Sequence, residues 1–108
     1  MTEFMARQGD VLIARAKKKL DGLEPVARDN GRVVLAYGEL TGHAHAITDS
    51  RATLFRDPKL ASMFLHVSGD APVALLHEEH TRIDIPPGEY EITHQVEYLP
   101  GEIRRVAD

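Results

Sequence analysis

Apolar residues in this chain come in short runs, broken at intervals of about ten residues by turn-forming residues, a rhythm of strands rather than helices. After Gly9-Asp10 the run Val11-Leu12-Ile13-Ala14 predicts a first strand, and Met1 to Gln8 reads as a loose lead-in. Lys17-Lys18-Lys19, bounded by Asp21-Gly22 and Pro25, reads as a solvated loop. Asp29-Asn30-Gly31 separates Val26-Ala27-Arg28 from Arg32 to Tyr37. Asn-Gly suits the two positive-φ positions of a type I′ turn and predicts a hairpin there. Further strands are predicted over His43 to Thr48, Ala52 to Arg56, Phe64 to Val67, Pro72 to His77 and Arg82 to Ile85. Pro86-Pro87-Gly88 then turns the chain into its clearest strand, Glu89 to Leu99, with Tyr90, Ile92, His94, Val96 and Tyr98 on one face. Glu102 to Asp108 reads as a polar tail.

Repeated short strands without a long amphipathic helix predict an all-β fold, a small antiparallel β-barrel or sandwich. A chain of 108 residues suits a single β domain, 1–108, with a lead-in over 1–8 and a tail over 102–108. No internal repeat or linker divides it.

Charge and cysteine content narrow the chemistry. The net charge of −4 argues mildly against a dedicated DNA-binding surface, while leaving room for a local basic patch. With no cysteine, there is no disulfide framework, and any metal must be held by His, carboxylates or water. No apolar run approaches the roughly 20 residues of a membrane span, and the first residues lack a signal-peptide core. The expected setting is the cytoplasm.

The histidines carry the candidate chemistry. In Gly42-His43-Ala44-His45-Ala46-Ile47 the two imidazoles are two residues apart, so a strand places both on one face with the alanines on the other, and the small alanines between the imidazoles leave room for something to approach. His94 falls in the apolar stripe of the last long strand and needs a partner there: a metal, a backbone carbonyl or a tyrosine hydroxyl. His77-Glu78-Glu79-His80 forms a second cluster, expected at the rim of a barrel mouth. Its histidines are three apart, one short of the spacing of helical zinc proteases, which excludes that class. Glu78 and Glu79 are candidate catalytic bases for a metal-bound water. The candidate ligands are therefore His43 and His45, completed from His77, His80 and His94. His66 reads as structural or surface. Imidazole and carboxylate ligands suit Zn, Fe, Mn, Ni or Cu alike.

Two resemblances add expectations. Gly38, His43-Ala44-His45, Asp49 and the Pro86-Pro87-Gly88 turn leading to His94 resemble the cupin arrangement, a His-x-His pair with a downstream acid and a later histidine. That resemblance implies a metal held by His43, His45, Asp49 and His94 in a small β-barrel. More of the chain resembles small bacterial and phage proteins without an assigned activity. The matching segments include Tyr37-Gly38-Glu39-Leu40-Thr41-Gly42-His43-Ala44-His45, Leu76-His77-Glu78-Glu79-His80 and Gln95-Val96-Glu97-Tyr98. This second resemblance implies a self-contained module.

Three functions follow. The first is a metal-binding barrel acting as a hydrolase or cupin-like enzyme on a small molecule. The second is a metal-independent ribonuclease in which His43 or His45 works with His80, and Lys17 to Lys19 or Arg82 holds phosphate. The third is an interaction module whose histidines respond to pH. An exposed strand edge would allow a homo-oligomer.

Overall fold

The computed structural model describes residues 4–17, 20–38, 42–59 and 62–94, with the backbone of 96–99 and 102–105. Among them there is no helix, and every strand pairing is antiparallel. The main sheet contains β1 (Met5–Gln8), β2 (Val11–Arg15), β3 (Glu24–Pro25), β6 (Ala52–Arg56), β7 (Met63–Val67) and β10 (Gly88–His94). Its order is β1-β2-β10-β7-β6-β3, so β1 and β3 are open edges. Of the two expected forms, barrel or sandwich, no closed barrel is found among the described residues. Three two-stranded ribbons complete the fold: β4 (Val33–Tyr37) with β5 (Ala44–Ile47), β8 (Val73–Leu75) with β9 (Ile83–Ile85), and β11 (Val96–Leu99) with β12 (Glu102–Arg105).

Strand alternation decides which face of the main sheet is buried. Directly opposed residues in antiparallel strands share a face. The register pairs Ile13 with Ile92, Tyr90 with Leu65, and Leu65 with Leu54. These residues, with Val11 and Val67, form one apolar face. The ribbons bring Val33, Leu35, Ile47, Val73, Leu75 and Ile85 into the same core cluster. The core is thus closed by covering one sheet face with two ribbons, without joining the sheet edges. Tyr90 is its largest fully buried side chain. Its hydroxyl donates to the Pro86 carbonyl, which satisfies the polar end of the ring.

Several local expectations change. Met5–Gln8 is a paired strand, not a loose lead-in, because its backbone zips onto β2 through the Gly9-Asp10 turn. Its side chains alternate between exposed and more buried, with too few apolar residues to betray a strand. The Asn30-Gly31 turn has both φ values positive, 54° and 78°, as a type I′ turn requires. The hairpin it closes is only the Asp29–Arg32 pair, since β3 pairs with β6 and β4 pairs with β5. The expected strand from Glu89 to Leu99 is divided into β10 and β11, and Glu102–Arg105 is strand β12 instead of tail.

The turn between β5 and β6 is held by charge. Arg51 Nε and Nη2 donate to the Asp49 carboxylate at 3.1 and 2.9 Å, and the same guanidinium donates to the carbonyls of Ala71 and Pro72. The side-chain and backbone hydrogen bonds from Arg51 hold the Asp49 carboxyl down at about 2, against an ordinary 3.8. A carboxyl depressed in the folded state contributes stability above its unfolded pKa and loses it as pH falls through the folded value. Thermal melts of wild type and Asp49→Asn should therefore differ most above about pH 4 and converge as pH falls toward 2. A gap that stays constant across that window would show that the pair does not contribute.

Candidate metal centre

A single backbone bridge builds the site. Ala46 N donates to Leu76 O at 3.0 Å, and Leu76 N donates to Ala46 O at 2.9 Å. This antiparallel pair ties β5 to the segment just after β8. Continuing its register sets His45 opposite His77, Ala44 opposite Glu78 and His43 opposite Glu79. The side chains agree. The His45 and His77 ring centroids are 4.3 Å apart, Ala44 N donates to Glu78 Oε1 at 2.9 Å, and His43 Nδ1 is 3.3 Å from Glu79 Oε1. His80 joins from the following bend, with its ring 4.6 Å from His77 and stacked 5.8 Å from His45.

Four of the six histidines therefore converge. His43 is half-buried, His45 is fully buried and His77 nearly so. Within the cluster, one nitrogen each from His43 and His77 and one carboxylate oxygen of Glu78 lie within 4.8 Å of one another. These three can hold a metal ion. The Glu78 carboxyl is held below its usual range, first by the Ala44 N–H and then by its own backbone N–H. It is thus set up as an anionic ligand.

The protonation of two rings can be read from their partners. Gln8 Nε2 donates to the carbonyls of Leu75 and Thr81, at 3.1 and 3.0 Å. Both amide protons are then used, so Gln8 Oε1 is the atom facing His45 Nδ1 at 2.9 Å. His45 must donate there, which leaves its Nε2 directed at Asp10, 3.7 Å away. His77 is fixed the other way: its Nδ1 accepts the Glu79 N–H at 3.0 Å. To ligate a metal, His77 must release that bond, since its Nδ1 then either binds the ion or carries the proton displaced from Nε2. His80 Nε2 is buried and has no hydrogen-bond partner among the described residues. An unpartnered buried polar atom costs about 1–3 kcal/mol.

The structure places the remaining predicted residues elsewhere. His94 points inward as its strand parity predicts, but its Nε2 meets the Leu35 carbonyl at 3.0 Å. It lines a separate cavity of about 530 Å³ with Met63 and Tyr37. Asp49 is engaged by Arg51. The set His43, His45, Asp49 and His94 implied by the cupin resemblance is therefore not assembled, because Asp49 and His94 are bound to other groups. His66 is exposed on β7. Arg82 is paired with Asp84 at 3.2 Å, Lys17 is exposed, and Lys18 and Lys19 lie outside the described residues.

The residues that sequence reasoning missed are Gln8, Gly9 and Asp10. Gly9-Asp10 was legible as a turn, but nothing local linked it to histidines far along the chain. Gly9 has φ +57°, and Asp10 is not among the positive-φ residues, the pattern of a type II′ hairpin turn. The turn packs under the cluster: a Cβ at Gly9 would lie 2.8 Å from His80 Nε2 and 3.1 Å from His45 Cε1.

A family model described as a domain of unknown function (DUF8820) matches residues 7–95. No curated protein and no solved structure matches the chain. The matched span contains the whole histidine cluster together with the turn beneath it.

Gly9→Ala should destabilise the fold by more than about 1 kcal/mol in urea unfolding, since it combines a positive φ with a clash against two rings. Combining it with His80→Ala should recover part of the loss by removing the nearest clash. A strictly additive double variant would show that Gly9 and His80 do not touch.

Proposed function

The chain belongs to the DUF8820 family, and we propose that this domain binds one divalent transition-metal ion through His43, His77 and Glu78 and uses it on a small-molecule substrate. The observation that carries this reading is the convergence of two imidazoles and a carboxylate from two separate segments. Two histidines and one carboxylate make a three-ligand protein set that leaves coordination positions open for chemistry. Zn, Fe, Mn, Ni and Cu all accept these ligands. When bound, the ion would supply Lewis-acid chemistry for hydrolysis or for a cupin-like reaction.

The surrounding side chains have distinct roles in this reading. Glu79 faces His43 Nδ1, the position of a carboxylate that orients a ligating imidazole and raises its basicity. This makes Glu79 an orienting residue first, with general-base chemistry as a further use. Glu78 is a ligand. His45 and His80 pack against the ring of His77 and restrict its orientation.

One observation supports the metal-independent acid–base alternative. The Glu79 N–H places the neutral His77 proton on Nε2, so that ring is presented as a proton donor. This reading requires phosphate to be held by a cation near the cluster. Arg82 is engaged by Asp84, which leaves it less suited to that task.

Elemental analysis and calorimetric titration with Zn²⁺, Ni²⁺, Mn²⁺ and Fe²⁺ distinguish the two. About one ion should bind per chain, and binding should be lost in His43→Ala and His77→Ala while His94→Ala retains it. Glu79→Gln should weaken affinity by about 10–100-fold. Absence of uptake for all four ions would sink the metal reading. RNA cleavage that persists in a chelator would favour the alternative.

A further inference from the structure

We infer that the cavity on the far side of β5 is the substrate pocket of this centre, and that it takes a small carboxylate with a short apolar body, its carboxylate held by Arg32. The inference rests on the metal reading for the role of the pocket, but the pocket stands on its own geometry. The strand that presents His43 and His45 on one face presents Ala44 and Ala46 on the other. Across the Ala46–Leu76 bridge, Leu76 and Glu78 lie on that same second face. Because the alanines carry only methyl groups, a cavity of about 400 Å³ remains, lined by Arg32, Ala44, Ala46, Leu76, His77 and Glu78. Ligand cavities fall at roughly 300–1,000 Å³, so this one suits a small molecule.

The two ends of the pocket differ in chemistry. Val33 pairs with Ile47 and Val34 with Ala46, so the same register sets Arg32 opposite Thr48. Glu78 lies opposite Ala44, four residues away along the strand, about 13 Å at the usual strand rise. Arg32 thus stands at one end and the candidate ligands His77 and Glu78 at the other, with apolar side chains between.

Arg32 is anchored by its backbone. The Asn30-Gly31 turn locks it through Arg32 N to Asp29 O at 3.1 Å and Asp29 N to Arg32 O at 2.9 Å. Its Nε donates to the Asp29 carbonyl at 3.5 Å, and among the described residues its guanidinium makes no ion pair. A planar fork of donors fits a carboxylate in two-point contact. The acidic side chain of Glu78 at the opposite end, and the net charge of −4, disfavour an extended polyanion across the opening. A single small anion with an apolar body meets both constraints.

Hexanoate is a direct probe, with hexan-1-ol as its uncharged counterpart. Each is titrated into ¹⁵N-labelled full-length protein, zinc-loaded and metal-free, while amide shifts and zinc affinity are recorded. Hexanoate should shift the amides of Ala44, His45, Ala46, Leu76 and Glu78, and hexan-1-ol should not at the same concentration. Arg32→Gln should weaken hexanoate by about 10-fold or more, the loss of a charge-assisted contact. Ala46→Leu should block it by filling the cavity, and Arg32→Gln should keep zinc affinity. Arg32→Gln is the decisive variant if Ala46→Leu fails to fold. Hexan-1-ol binding as well as hexanoate, or Arg32→Gln binding like wild type, would overturn the inference. Zinc uptake without hexanoate binding overturns the pocket alone. Hexanoate binding through Arg32 without zinc uptake overturns the metal reading and leaves the pocket in place.

Discussion

Two backbone hydrogen bonds between Ala46 and Leu76 set the geometry on which the site depends. They are the join between the β4–β5 ribbon and the β8–β9 ribbon. Because an antiparallel register is fixed once one pair is fixed, this bridge decides every contact to either side of it. His45 meets His77, Ala44 meets Glu78 and His43 meets Glu79 as consequences of one alignment. A slip of a single residue would send each of these side chains to the opposite face. The ring cluster is therefore no more adjustable than the bridge.

The same alignment separates two environments. On one face, imidazoles pack against each other over the Gly9 turn, and their nitrogens need partners that a protein interior supplies sparingly. On the other face, methyl groups leave space. Burying several imidazoles together brings no advantage in packing over apolar side chains of similar size, and it carries a polar cost wherever a nitrogen has no partner. His80 Nε2 is such a nitrogen.

Much of this was legible in the sequence. The strand rhythm, the Asn30-Gly31 turn and the common face of His43 and His45 each follow from local rules of alternation and turn chemistry. The inward direction of His94 was legible too, from the stripe formed with Tyr90 and Ile92. What His94 would meet there was not, because strand parity fixes a direction and says nothing about the neighbouring ribbon. The pairing of β5 with the segment after β8 lay out of reach for the same reason: it joins residues thirty apart in sequence through backbone groups that every residue carries. Met5–Gln8 escaped because its edge position asks for little apolar surface, so a real strand carried the composition of a tail. The cupin-like spacing misled at Asp49, whose carboxylate is engaged by Arg51 two residues on.

Gln8 leads to a consequence of a different kind. Its amide is saturated by the carbonyls of Leu75 and Thr81, and through its remaining oxygen it dictates which nitrogen of His45 carries the proton. Gln8 belongs to β1, an outer strand of the main sheet. Outer strands open with less free energy than central ones. The Nδ1 proton of a fully buried imidazole is thus tied to an edge strand of the main sheet, and an opening of that strand would take away the proton's acceptor.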